Sequence, residues 1–250
     1  GILLPLLCML GIHRLQFLNE VARRPSHSFI SYYTASYLLA QGEDVNQFYD
    51  GDWFSAQVFK ITPTIEEYYV PNPPTTSFIL LPLAQHTHLN ARILWTIFNL
   101  IIVSCAVAWI LWIERFSLTW GAIALIVALL YQPMIANFEY GQLYGLLFVA
   151  FTIIGYGYKH SATKLTGITW GTIVIMKTAG WLLVLLWLVK RQWNILLWSS
   201  LIIGFISLLS LPIVGFQSWL TFSQALSEYS QRPAFTVTAY QNIPSFFKHQ

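Results

Sequence analysis

The chain has 250 residues, of which 56% are hydrophobic, 16% aromatic and 9% charged, against about 25% charged in a soluble domain. So few charges cannot coat a water-soluble surface of this size, whereas lipid over most of the surface removes the need for them. The net charge of +3, scattered between apolar runs, gives no basis for a nucleic-acid partner.

The first apolar run, Ile2–Ile12, is short for a span, which needs about 20 residues. It reads as the end of a first helix or as an interfacial piece. The chain opens inside this run and stops at Lys248-His249-Gln250, so it reads as incomplete at both ends. Cys8 and Cys105 both lie in apolar segments, and no disulfide is expected between them.

Residues 13–77 form a long polar loop that carries most of the carboxylates: Glu20, Glu43, Asp44, Asp50, Asp52, Glu66 and Glu67. Within it Phe29, Tyr32, Tyr33, Ser36 and Tyr37 recur at helical spacing, and Gly42 is placed as a stop. The pattern predicts a Tyr-rich amphipathic helix at the membrane–water boundary, or else a helix packed on its own domain.

Residues 78–214 read as the transmembrane bundle. A short apolar piece, Phe78–Ala84, is followed by spans at Ile93–Ile113, Leu118–Ala136 and Leu143–Tyr158, then by Leu165–Val189 and Ile195–Val214. The expectation is an all-α, polytopic bundle of roughly six or seven lipid-embedded segments, with a second polar loop over 215–250.

Arg115, the pair Lys159 and Lys164, and the pair Lys190 and Arg191 mark three loops as cytoplasmic. The loop Asn137–Gln142 carries Glu139 and no Lys or Arg, so it faces outward. Leu165–Val189 then begins and ends beside cytoplasmic loops, which predicts a broken hairpin turning near Lys177–Gly180. With that topology the polar chemistry gathers on the outer face.

Lys177 lies inside an apolar run, where a cation costs about 2.5–3.5 kcal/mol on insertion scales. A burial so costly calls for a partner: a carboxylate, a backbone carbonyl or an anion such as a lipid phosphate. Alternatively, its long stem snorkels to the interface. Glu139 is placed to be a general base, to hold a substrate hydroxyl, or to be a solvated loop charge. His86 and His88 read as interfacial rather than as ligands, and no nucleotide-binding loop or lipase elbow is present.

A series of motifs follows in order: Ser31-Tyr32-Tyr33-Thr34-Ala35, Gly42, Tyr49-Asp50, Asp52-Trp53-Phe54, Asn72-Pro73-Pro74-Thr75-Thr76 and Leu80-Leu81-Pro82-Leu83-Ala84. Tyr140-Gly141-Gln142, Lys177 and Lys190-Arg191-Gln192-Trp193 continue it, with Asn242 and Ser245 near the end. Together they resemble glycosyltransferase family 87, membrane enzymes of GT-C type that include polyprenyl-phosphate-mannose-dependent alpha-mannosyltransferases. The resemblance implies transfer of a hexose from a polyprenyl-phosphate sugar to a lipid or glycan acceptor on the outer face of the cell membrane. It places Tyr32, Tyr33, Asn72, Tyr140 and Gln142 among the substrate-binding residues, gives Lys177 the donor phosphate, and demands neither a metal nor another cofactor. Family members usually carry Asp where this chain has Ser28. His27, Asp44, Asp50 or Glu139 then takes the role of base, or the reaction is lost or altered. A transporter and a catalytically silent lipid-binding relative are the rival readings.

Overall fold

A computed structural model describes residues 3–230, and within them ten α-helices and three short 3₁₀ turns follow one another without a strand. The all-α expectation is met. Helix α1 (Leu3–Val21) runs well past the apolar stretch that suggests it and packs on α5 (Leu118–Leu130) and α6 (Gln132–Tyr140). The polar loop therefore starts after Val21, not at residue 13.

That loop folds as a compact unit around α2 (His27–Ala40). Phe29, Ile30, Tyr32, Tyr33 and Ala35 are all buried, so α2 is a core helix and not an amphipathic helix lying at a membrane boundary. The reason is its small polar residues. Ser31 and Ser36 let neighbouring chain approach and donate their hydroxyls to the carbonyls of Tyr68 (2.8 Å) and Ser77 (2.6 Å), leaving little face for lipid. The predicted stop is present: Gly42 adopts φ +83°, and the amides of Gly42 and Glu43 close back on Leu39 and Leu38. Helix α3 (Gly51–Ile61), the 3₁₀ turn Val45–Tyr49 and Tyr69 complete the core of this unit.

Among the described residues, two helices are long and apolar enough to cross a membrane, α4 (His88–Ile113) and α10 (Trp193–Ser230), or three if α5 and α6 form one bent span. The remaining apolar runs form helices shorter than the roughly 20 residues of a full span: α7 (Tyr144–Lys159), α8 (Thr163–Lys177) and α9 (Leu183–Val189). The run predicted as one straight span over 118–136 is bent by 51° between α5 and α6, where Pro133 sits in the first turn of α6. Residues 137–140 are consequently helical, and the expected loop shrinks to a turn at Gly141.

The break after Lys177 is present. Thr178 and Gly180 take positive φ, and α9 folds back along α8: the Trp170 indole donates to the Gly180 carbonyl at 2.9 Å and meets the Trp187 ring at 6.1 Å. Gly167 and Gly171, one turn apart, let α8 press against α10. A Cβ at Gly167 would lie 2.6 Å from the Ile195 carbonyl, and one at Gly171 2.7 Å from that of Ser199. The predicted end of the last span coincides with a break at Gly215, but the helix then resumes to Ser230. This last stretch is not a polar loop. It packs on the α2 unit, with Phe222 against Tyr49 and Thr221 donating to Asn46 at 2.6 Å. Asn242 and Ser245 lie outside the described residues.

Candidate functional site

Lys177 ends α8, and its position is set by the loop that follows Tyr69. Thr75 and Thr76 donate their hydroxyls to the carbonyls of Ile175 (2.5 Å) and Met176 (2.6 Å), capping the last turn of α8. The Asn-Pro-Pro-Thr-Thr segment thus clamps the helix end that carries the ammonium. Lys177 Nζ donates to Asn72 Oδ1 and to the Tyr32 hydroxyl, each at 2.6 Å, and lies 4.6 Å from the Tyr32 ring centre. Asn72 is itself fixed, donating its amide to the Tyr69 carbonyl at 2.6 Å.

Both partners of the ammonium are neutral. Among the described residues no carboxylate lies within ion-pair distance of it. An ammonium has three donors, so one remains for a further acceptor. The carbonyl end of α8 offers roughly half a negative charge, which offsets the cation only in part.

From Tyr32 the polar chain continues. The Tyr32 hydroxyl donates to Gln142 Oε1 at 2.9 Å, and Gln142 Nε2 donates to the Ser28 hydroxyl at 2.5 Å. Burial, and then neighbouring Tyr144, Glu67 and Tyr69, raise the Tyr32 phenol above its ordinary pKa, so it stays neutral at physiological pH. Gln142 is held by the end of α6, whose carbonyls are all occupied. Arg92 donates to those of Phe138 and Glu139, Ser26 to that of Tyr140 (3.2 Å), and the Trp95 indole to that of Gly141 (3.1 Å). Arg92 is 1% exposed and stacks under Phe29 at 5.3 Å.

Lys177 is also among the residues lining an apolar cavity of about 350 Å³ between α7 and α8, together with Leu146, Ala150, Ile153, Ile173 and Met176. An apolar groove whose lining includes a residue with a buried cation suits an amphiphile with an anionic head.

Residues 69–249 match glycosyltransferase family 87, which covers more than half of the sequence. The chain belongs to glycosyltransferase family 87. No curated protein and no solved structure matches it.

For this family 87 glycosyltransferase, the structure gathers Tyr32, Asn72, Gln142 and Lys177 into one hydrogen-bonded cluster. The other residues that the sequence singles out stand apart from it. Tyr33 donates its hydroxyl to the His86 carbonyl at 2.6 Å and lines a separate open cavity with Tyr37, Gln41, Lys60 and His88. Tyr140 is exposed, and its carbonyl, rather than its ring, is engaged. The Glu139 carboxylate is exposed on α6. Asp44 caps the turn Val45–Tyr49 through the Asn46 amide (2.9 Å), and Asp50 caps α3 through the Trp53 amide (3.0 Å).

His27 does have a carboxylate partner: its Nδ1 lies 3.2 Å from Glu67 Oε2. Sequence reading treats Glu67 as one acidic residue among several, and it passes over Arg92 altogether. A signal for Arg92 was present, since it falls one residue before an apolar run of span length. For Glu67 the sequence carries no comparable mark.

Proposed function

We propose that this glycosyltransferase moves a hexosyl unit, mannose-like, from a polyprenyl-phosphate sugar to a hydroxyl of a lipid or glycan acceptor on the outer face of the cell membrane. One observation carries the reading: Lys177, whose ammonium is bonded only to neutral groups, lines an apolar groove between α7 and α8. The isoprenoid tail lies in that groove. The phosphate takes the third donor of Lys177, which stabilises the charge that grows on the leaving phosphate as the sugar departs. Tyr32, Asn72 and Gln142 hold the ammonium in place and offer polar contacts to the sugar.

Orientation follows from the charge flanks. Glu114 and Lys159 pair at 2.7 Å, which brings the ends of α4 and α7 together at the end opposite the Lys177 cluster. The basic loops at that end fit the cytoplasmic side.

The test is transfer of radiolabelled mannose or glucose from the corresponding polyprenyl phosphate into lipid or glycan, by membranes containing the full-length protein. Label in product supports the reading. Uptake of a solute into proteoliposomes with no transfer would favour the transporter instead.

A further inference from the structure

We infer that Glu67, with His27 against it, is the general base that activates the acceptor hydroxyl. The inference rests on the glycosyl-transfer reading above and supplies the base that Ser28 cannot be.

Elimination narrows the field first. Asp44 and Asp50 are committed to helix caps, Glu66 takes the Tyr68 hydroxyl at 2.6 Å, and Glu114 pairs with Lys159 at the far end of the molecule. Glu139 is exposed on α6. Glu67 alone among these is part-buried without a cap or a lysine, its side chain 25% exposed.

Placement follows from the helical repeat of α2. Residues four apart share a face, so α2 presents two adjacent stripes. On one, His27 meets Glu67 at 3.2 Å, and Ser31 ties down the next residue through the Tyr68 carbonyl at 2.8 Å. On the other, Ser28 accepts from Gln142 at 2.5 Å, and Tyr32 accepts from Lys177 at 2.6 Å. The carboxylate and the ammonium are therefore held on neighbouring stripes of one rigid helix. For the step, the anomeric carbon of a sugar whose phosphate sits at Lys177 has to lie between them.

The groups that face Glu67 are His27 and Tyr32 from α2 and its neighbour Tyr68. Burial raises the carboxyl above the usual carboxylate pKa, while the Tyr68 amide and His27 pull it partly back. A raised pKa makes a stronger base.

In the step, the acceptor oxygen forms the new bond to the anomeric carbon and its proton passes to Glu67. The bond from that carbon to the phosphate oxygen breaks, and its electron pair leaves with the polyprenyl phosphate held by Lys177. His27 touches no reacting atom and acts as a positioning residue that keeps the carboxylate aimed and ionised.

The test uses the full-length protein in lipid nanodiscs with radiolabelled polyprenyl-phosphate mannose and a native lipid extract as acceptor. Glu67→Gln should lower turnover roughly 10²–10⁴-fold with the donor KM unchanged. Sodium azide, a nucleophile that needs no deprotonation, should restore consumption of the donor by Glu67→Gln and yield glycosyl azide. His27→Gln should move the acid limb of the activity profile upward, because the group that lowers the Glu67 pKa is gone. Turnover surviving in Glu67→Gln, or azide failing to restore donor consumption, overturns the inference and leaves the transfer reading standing. A wild-type protein that transfers no sugar from any polyprenyl phosphate tested overturns both.

Discussion

The Lys177 ammonium and the Tyr32 hydroxyl meet at 2.6 Å, joining the broken end of α8 to the buried helix of the preceding loop. Tyr32 also donates to Gln142, so one phenol couples three separate segments. Tyr32→Phe keeps the ring but removes both bonds. A hydrogen bond to a charged group contributes about 1.5–3 kcal/mol. Affinity for polyprenyl phosphate should fall on the order of 10-fold or more, read by titration of the purified variant, while thermal stability drops only modestly.

Thr75 and Thr76 cap α8 and thereby place the ammonium. Replacing either by Val leaves a carbonyl at the end of α8 without its hydroxyl donor, at a cost of about 1–3 kcal/mol. The melting temperature in detergent should fall for Thr75→Val and Thr76→Val, while Thr76→Ser, which retains the hydroxyl, stays close to wild type.

Gly141 has φ +64°, and a Cβ there would lie 2.6 Å from Phe29 Cβ and would also collide with the Arg92 guanidinium. Gly141→Ala carries the left-handed backbone penalty of roughly 1–2 kcal/mol together with that collision. The variant should melt at lower temperature and lose transfer, since Gln142 moves with the turn. Wild-type activity in Gly141→Ala would contradict the packing described.

Asp50 allows a cap to be told from a base. Asn caps a helix about as well as Asp, whereas Ala costs about 1 kcal/mol. If the carboxylate serves only α3, Asp50→Asn should keep both stability and transfer, and Asp50→Ala should lose stability first. Transfer abolished in a stable Asp50→Asn would make Asp50 the catalytic carboxylate in place of Glu67.

The helical class and the break at Lys177 were legible because both follow from local rules. Apolar runs must be helical in lipid, and a run that begins and ends beside Lys- or Arg-bearing loops has to turn back within itself. Gly42 was similarly readable as a stop. The state of α2 was not: its Tyr spacing fits a boundary helix as well as a core helix, and only the hydroxyl bonds of Ser31 and Ser36 to distant carbonyls decide between them. The bend at Pro133 hid inside a uniformly apolar run. Of the site, Lys177, Asn72, Tyr32 and Gln142 could be named from motif order, but their mutual contacts span more than 100 residues of chain. Asp44 and Asp50 drew attention as acids because a capping carboxylate and a catalytic one look alike in sequence. The pairing of Glu67 with His27 depends on the fold of the loop and has no local signature.

The most direct test of the Lys177 site is the affinity of the full-length protein in nanodiscs for polyprenyl phosphate, compared between wild type and Lys177→Gln. The ammonium is placed as the phosphate anchor, so the substitution should weaken binding about 10-fold or more, equivalent to at least roughly 1.4 kcal/mol. Equal affinity in the two proteins would contradict the donor site described here.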